Sequence, residues 1–307
     1  MAYLIALDVG GTGIKAALLD ATGRAMEQYW RPTGREQGPD AVVRRIVTFT
    51  EELQRQAAGA GMPASAVGLA VPGIVDAPAG VGIRSTTIGW RDIPFGELVR
   101  ERTGLPVALS HDVRAGGVAE ARLGAGRAHR WFLFVAVGTG IAAALVSDGR
   151  AVPGAQHRAG EIGHIPVRPG GEECVCGGAG CAEAYASAAA VARRHTALTG
   201  THSEASQVAR LAAAGDVAAG GVWDEAVTAL ADALLIACAV VDPPLIVLGG
   251  GLAESGELLL APLRARMAER ATVQHPPLLA RAQLGDRAGC LGAGLLAADL
   301  TKGGIRR

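Results

Sequence analysis

His164, Cys174, Cys176 and Cys181 are the residues of this chain best suited to hold a metal. Two thiols two positions apart, with a third after Gly177-Gly178-Ala179-Gly180, can wrap one tetrahedral ion because the glycines permit a sharp return. One imidazole and three thiolates form a closed zinc set with no position left for water. The spacing therefore predicts a structural zinc that performs no reaction itself. A second chemistry is suggested by Asp8-Val9-Gly10-Gly11-Thr12-Gly13. A turn without side chains exposes backbone N–H groups that hold phosphate oxygens, Thr12 adds a hydroxyl, and the Asp8 carboxylate could hold Mg²⁺ beside a triphosphate. Gly138-Thr139-Gly140 offers a similar turn, and Gly249, Gly250 and Gly251 would let a flat base or ribose approach the backbone. The same residues would also serve as plain hairpin turns. Neither G-x-x-x-x-G-K-[ST] nor G-x-G-x-x-G occurs at these turns, which takes weight from the two nucleotide folds those motifs mark. Asp112, in Ser110-His111-Asp112-Val113-Arg114, falls where a strand gives way to a helix. By position it reads first as a helix cap, and a carboxylate there can also act as a general base.

The elements that must hold these residues are legible as alternating patterns. Apolar runs at 3–7, 16–19, 67–71, 107–109, 131–137, 141–146 and 245–248 read as strands, each ended by Gly, Pro or Asp. Asp40–Gln56 carries Val42, Val43, Ile46, Phe49 and Leu53 on one face and reads as a helix, as do 112–123, 223–241, 256–270 and 287–300. Strands mixed with helices imply an α/β protein. The stretch from Val9 to Asp20 is similar to that from Val137 to Asp148: each runs from an apolar strand through a Gly/Thr turn into a second strand. Two related halves facing each other across a cleft are the expectation.

Composition sets the wider limits. In 307 residues, half are apolar, and 29 basic side chains balance 29 acidic ones. Net charge near zero gives no general grip on nucleic acid or an anionic membrane. The first residues, Met1-Ala2-Tyr3-Leu4-Ile5-Ala6-Leu7-Asp8, lack the basic start of a signal peptide, and a cytoplasmic location is expected. Cys238 and Cys290 stand alone in apolar surroundings, so the odd total of 5 cysteines favours metal over disulfides.

L-D-V-G-G-T-G-I-K at 7–15, V-P-G-I-V-D at 71–76, G-E-I-G-H at 160–164, C-V-C-G-G-A-G-C-A-E at 174–183 and L-G-G-G-L at 248–252 resemble the signature blocks of the ROK family (repressors, open reading frames and kinases). The blocks follow the family's order and span nearly the whole chain. The resemblance implies an actin-like ATPase (ribonuclease H-like) fold, with two α/β domains around a cleft. These would be 1–115 joined by the helix 287–307, and 116–286 carrying the zinc loop. It implies ATP-dependent phosphorylation of a sugar, with Mg-ATP held by Asp8, Gly10, Gly11, Thr12, Gly13, Gly138, Thr139, Gly140, Gly249, Gly250 and Gly251. Asp112 becomes the catalytic base, and the same four residues, His164, Cys174, Cys176 and Cys181, become the zinc ligands. Sugar contacts are expected from Thr87, His111, Asp112, Glu161, His164 and Glu183, with Gly73 as a close backbone approach. With one ring nitrogen of His164 on zinc, the other can face the sugar. Lys15 and Arg114 are left as surface residues.

Two positions depart from the family pattern: His111 precedes Asp112 where Asn is usual, and Thr87 stands where a second Asn is expected. Both bear on which sugar is bound. Likeness to actinobacterial members with H-D-V-R in this block leans toward N-acetylglucosamine, with glucose as the alternative acceptor and polyphosphate as an alternative donor. Repressor members carry a DNA-binding module ahead of the first glycine block. Only seven residues precede Asp8, so a kinase is expected over a repressor. A non-catalytic sugar sensor is the reading from a different class. A homodimer or homotetramer is expected from the family.

Overall fold

In the computed structural model, which describes residues 3–20 and 22–303, the chain opens with β1 (Tyr3–Val9), returns antiparallel as β2 (Gly13–Leu19) and continues into β3 (Ala25–Pro32). α1 (Pro39–Gly59) follows. Pro39 is preset for a first helical turn, Asp40 suits its positive end, and Val42, Ile46, Phe49, Leu53 and Ala57 form the buried stripe. β4 (Ala64–Val71) pairs parallel with β1. A small antiparallel sheet of β5 (Ile74–Asp76), β6 (Val81–Arg84) and β7 (Arg91–Ile93) precedes α2 (Phe95–Thr103). β8 (Val107–His111) then pairs parallel with β4 and runs directly into α3 (Asp112–Leu123). The main sheet has the order β3-β2-β1-β4-β8.

The order repeats in the rest of the chain. β9 (Trp131–Val137), β10 (Ile141–Ser147) and β11 (Arg150–Ala151) are antiparallel neighbours. Helices α4 (Ala182–Ala186), α5 (Ala188–Thr199), α6 (Ala205–Ala213) and α7 (Val217–Val241) lead to β12 (Leu245–Gly249), which lies parallel to β9. α8 (Glu257–Arg270) connects to β13 (Leu278–Arg281), parallel to β12, which gives β11-β10-β9-β12-β13. The two sheets thus share one topology, as the internal similarity of 9–20 to 137–148 led us to expect. Their inner strands are buried along most of their length, as parallel pairs covered by helices require.

The chain forms two compact units: Met1–Ala119, Pro153–Arg158 and Arg287–Arg307 in one, Glu120–Val152 and Ala159–Asp286 in the other. Each has its own apolar core, the first around Leu7, Ile46, Phe49, Leu69 and Phe95, the second around Val135, Trp223, Leu230, Leu234 and Leu263. The first unit is completed by α9 (Ala288–Gly303). Its Gly292 and Gly294 allow the helix backbone to lie directly against its neighbours: a side chain on Gly292 would strike the Ala115 carbonyl, and one on Gly294 would strike Leu19. From the sheet side, a side chain on Gly68 of β4 would strike the Ala293 carbonyl.

All seven strands and five helices expected from the sequence are present. It did not predict β3, whose residues are mostly exposed at the sheet edge, or the short β5, β6, β7, β11 and β13. Helices α2, α4, α5 and α6 were also missed. Among the described residues no helix is long and apolar enough to cross a membrane, and the uncharged stretch 131–147 is the β9–β10 hairpin.

Candidate active site

Parallel pairing of β1, β4 and β8 brings Asp8, Ala70 and Ser110 into line across the first sheet. Neighbouring strands are separated by about 4.8 Å, so Asp8 and the His111-Asp112 pair emerge at one edge, at the carboxyl ends of β1 and β8. That edge is where open α/β sheets take their ligands. Asp8 sits beside the first turn of α9, where a side chain on Gly289 would meet the carboxylate oxygens. The positive end of a helix favours an anion there. Burial, reinforced by the Asp8 charge, pushes the nearby Cys290 thiol up.

The turn that follows Asp8 is tightly specified. Gly10 N–H donates to the Gly13 carbonyl at 2.8 Å, and in the second unit Gly138 N–H donates to the Gly140 carbonyl at 2.9 Å. Buried Thr33 supports the first turn: its hydroxyl donates to the Gly10 carbonyl at 2.6 Å and its N–H to the Thr12 carbonyl at 3.0 Å. A methyl placed on Gly11 would lie 3.0 Å from Thr87 Cγ2 and 3.9 Å from Arg35 Nη1. Thr87, exposed at the tip of the turn 85–89, therefore lies against the glycine turn through its methyl group.

Asp112 is the first residue of α3. Its Oδ1 accepts the Val113 N–H at 2.7 Å and lies 3.1 Å from His111 Nε2. The carboxylate thus meets the N–H of the next residue in the first turn of α3, not the N–H two or three residues on that a capping side chain engages, and keeps 30% side-chain exposure. Loss of hydration pushes its pKa up to about 6, against the lowering effects of the Val113 N–H and the Arg114 charge. Arg114 is not a surface residue. It is buried, and its guanidinium donates to the Val75 carbonyl at 3.2 Å, a partner on β5 that the linear sequence does not reveal. Lys15 is half-buried, opposite Asp8 in the β1–β2 register. Gly73 has φ +102°, and a side chain there would strike the Arg84 carbonyl. Packing of β5 against β6 is therefore sufficient reason for this glycine.

In the second unit two glycine clusters converge. Gly249 ends β12, and Gly250 (φ +83°) presses against the backbone of Val137, the residue before Gly138. Thr139 lies in the turn between Gly138 and Gly140, and Gly251 opens the short helical turn 251–255. Glu183, in the first turn of α4, accepts the Ile141 N–H at 2.7 Å. That bond joins the end of the cysteine loop to the turn 138–140.

The cysteine loop is folded by its own backbone. Cys174 N–H donates to the Gly178 carbonyl, Gly177 N–H to the Cys174 carbonyl and Gly180 N–H to the Glu172 carbonyl. Gly177 and Gly180 have φ of +91° and +76°, which only glycine adopts without strain, and a side chain on Gly180 would strike the Arg168 carbonyl. The ligand atoms of His164, Cys174, Cys176 and Cys181 lie within 4.8 Å of one another. Cys176 Sγ and Cys181 Sγ are 3.7 Å apart, and His164 Nδ1 is 3.6 Å from Cys174 Sγ. Tetrahedral zinc with bonds of about 2.3 Å separates sulfurs by roughly 3.8 Å, so the set fits such an ion. Burial pushes the Cys181 thiol up to about 12 and raises Cys174, while the Gly178 N–H lowers Cys176. His164 Nε2 lies on the other side of the ring, 4.0 Å from Glu161 Oε2.

Each unit therefore assembles its own share of the expected residues: Asp8, Gly10, Gly11, Thr12, Gly13, Thr87, His111 and Asp112 in the first, and the glycine turns, Glu161, Glu183 and the cysteine cluster in the second. Arg35 and Trp30, which border the first turn, were missed. Neither lies in a motif, and their proximity depends on β3 folding back on β2.

The sequence profile of the ROK family matches residues 4–300. A glucokinase of Halalkalibacterium halodurans is 32% identical over 96% of this chain and 94% of its own length. The N-acetylmannosamine kinase of Citrobacter koseri is 33% identical over 95% of this chain and 98% of its own. Among solved structures, the ROK family glucokinase from Streptomyces griseus in complex with glucose and AMPPNP has a TM-score of 0.83 and 29% identity. That match covers 97% of this chain and 100% of that one.

Proposed function

This chain belongs to the ROK family and has its actin-like, two-domain α/β fold, and from that premise we propose that it transfers the γ-phosphoryl group of Mg·ATP to the 6-hydroxyl of an aldohexose or N-acetylhexosamine. The observation that carries the proposal is the Asp112 carboxyl, held at the β8–α3 junction beside His111 with its pKa raised to about 6. A base with a pKa near the working pH is ionised, yet basic enough to accept the hydroxyl proton as oxygen attacks phosphorus. The relatives support both acceptor classes: one is a glucokinase, the other an N-acetylmannosamine kinase.

In this reading the amides of the two Gly/Thr turns hold phosphate oxygens, and Gly249, Gly250 and Gly251 border the nucleoside. Magnesium, when bound with ATP, supplies charge neutralisation on the phosphates, with Asp8 as its protein partner. His111, Thr87, Glu161, His164 and Glu183 orient the sugar. Because Glu183 already accepts the Ile141 N–H, a hydroxyl bound by its other oxygen would be positioned relative to the turn 138–140. Zinc held by His164, Cys174, Cys176 and Cys181 supplies a rigid clamp on the loop. The second His164 nitrogen stays available to a hydroxyl. Of the acceptors, N-acetylglucosamine is the first to try and glucose the second.

The test is a coupled ADP-release assay with Mg·ATP against glucose, N-acetylglucosamine, N-acetylmannosamine, mannose and fructose. ADP release that depends on at least one aldohexose or N-acetylhexosamine is expected. Sugar binding without ADP release would replace the kinase with a sensor.

A pH profile follows from the same carboxyl. The active form is the carboxylate, and desolvation raises its pKa, so activity should rise with pH through about 6 and level off above it. Well below that value, kcat/KM is expected to fall about tenfold per pH unit. An acid limb near 4, the ordinary value for Asp, would mean that Asp112 is fully hydrated or is not the base.

A further inference from the structure

We propose that Arg35 binds the terminal phosphates of the phosphoryl donor, with the indole N–H of Trp30 beside it, so that charge as well as backbone amides holds the donor at the first glycine turn. The inference deepens the kinase reading and rests on it.

The turn is arranged to present donors. Three of its four carbonyls are engaged: those of Gly10 and Thr12 accept from Thr33, and that of Gly13 accepts from Gly10. The N–H groups of Gly11 and Thr12 meet no backbone acceptor among the described residues. Those amides are therefore left for solvent or for an anion.

Arg35 follows Gly34, whose left-handed φ of +68° redirects the chain after β3. The turn brings the guanidinium to 3.9 Å from the point where a Gly11 side chain would begin. Three arginines surround this segment, and two are engaged. Arg45 donates to the Thr33 carbonyl and, at 3.0 Å, to Gln37, while Arg31 pairs with Glu52 and covers the Phe49 ring. Arg35 is exposed, and no carboxylate pairs with it among the described residues. A planar guanidinium beside unengaged amides matches a phosphate, which accepts two parallel hydrogen bonds from it.

Trp30 gives a second, independent observation. It is 62% exposed on β3, yet its ring is laid across Gly13, where a side chain would strike Nε1. Indole is a hydrogen-bond donor only, so its polar edge at the turn also suits an anion. The ligand chemistry is an oligophosphate, whether the β,γ end of a nucleoside triphosphate or an inorganic chain.

Calorimetric titration of wild type, Arg35→Ala and Arg35→Gln with Mg·ATP, inorganic tripolyphosphate and AMP tests this, alongside KM for donor and for sugar. A lost charge-assisted contact corresponds to an affinity loss of about ten- to a hundredfold. That loss is expected for ATP or tripolyphosphate and not for AMP, which lacks terminal phosphates. KM for sugar should hold, Arg35→Lys should recover part of the affinity, and Arg44→Ala on α1 should match wild type. If ATP alone shows the loss, the donor is the nucleotide; if tripolyphosphate shows it too, the site accepts the bare chain. Equal donor affinity in wild type and both variants, with wild type active, would overturn the role of Arg35. A wild type with no sugar-dependent ADP release and no affinity for either donor would overturn the kinase reading, and this inference with it.

Discussion

Asp112→Asn is expected to lower kcat by about two to four orders of magnitude with little change in KM for the sugar, the range usual for removing a positioned base. The amide keeps the size of the carboxyl and can still accept the Val113 N–H, but it cannot take a proton. Stability should move the other way or not at all. The folded carboxyl has its pKa raised from 3.8 to about 6, so the folded state holds its proton more tightly than the unfolded chain does. The charged group therefore opposes folding fully above about pH 6, and the penalty vanishes as pH falls below about 4. With 30% of the side chain exposed, the penalty at neutral pH is about 1–3 kcal/mol. Thermal melts of the variant should accordingly match wild type or rise by a few degrees. Retained turnover would remove Asp112 from the mechanism, and a large drop in melting temperature would assign it to structure.

Freshly purified protein should contain one zinc per chain, and its removal is the second large effect expected. The loop 171–181 has backbone hydrogen bonds but little apolar burial: Val175 at its tip is 90% exposed. Structural zinc supplies folding free energy directly, with apparent values of about 10–16 kcal/mol in small zinc modules. Chelation or Cys174→Ser should therefore lower the melting temperature by about 10 °C or more and abolish turnover through His164 and Glu183. The measurement is metal analysis coupled to melting curves with and without chelator. Metal-free protein of unchanged melting temperature and full activity would overturn the assignment.

The parts of this site that sequence reveals are those whose members are close in the chain. His164 and the three cysteines, or Asp8 and its glycines, carry their geometry in their spacing. The strands that hold them were visible because buried parallel strands read as unbroken apolar runs. Long-range partners left no such trace. Nothing near Arg114 announces Val75, nothing near Glu183 announces Ile141, and Arg35 reaches Gly11 only after β3 has folded back. Helices α4 and α5 were missed because alanines between a few larger buried residues, Tyr185, Val191 and His195, give weak contrast between the two faces, whereas α6 is amphipathic but only 9 residues long. Edge strand β3 was missed for the opposite reason: its face is mostly polar and exposed.

The seat of α9 on the first sheet also sets an order of events at the ribosome. The glycines of α9 and Gly68 of β4 bring helix and sheet backbones into close contact, yet α9 is translated only after the whole second unit. At about 5–20 residues per second, that interval is roughly 10–30 s. During it the faces of β1 and β4 that α9 will cover stand open, and the Asp8 carboxylate lacks its helix end. The phosphate turn therefore reaches its final setting only after α9 has been made.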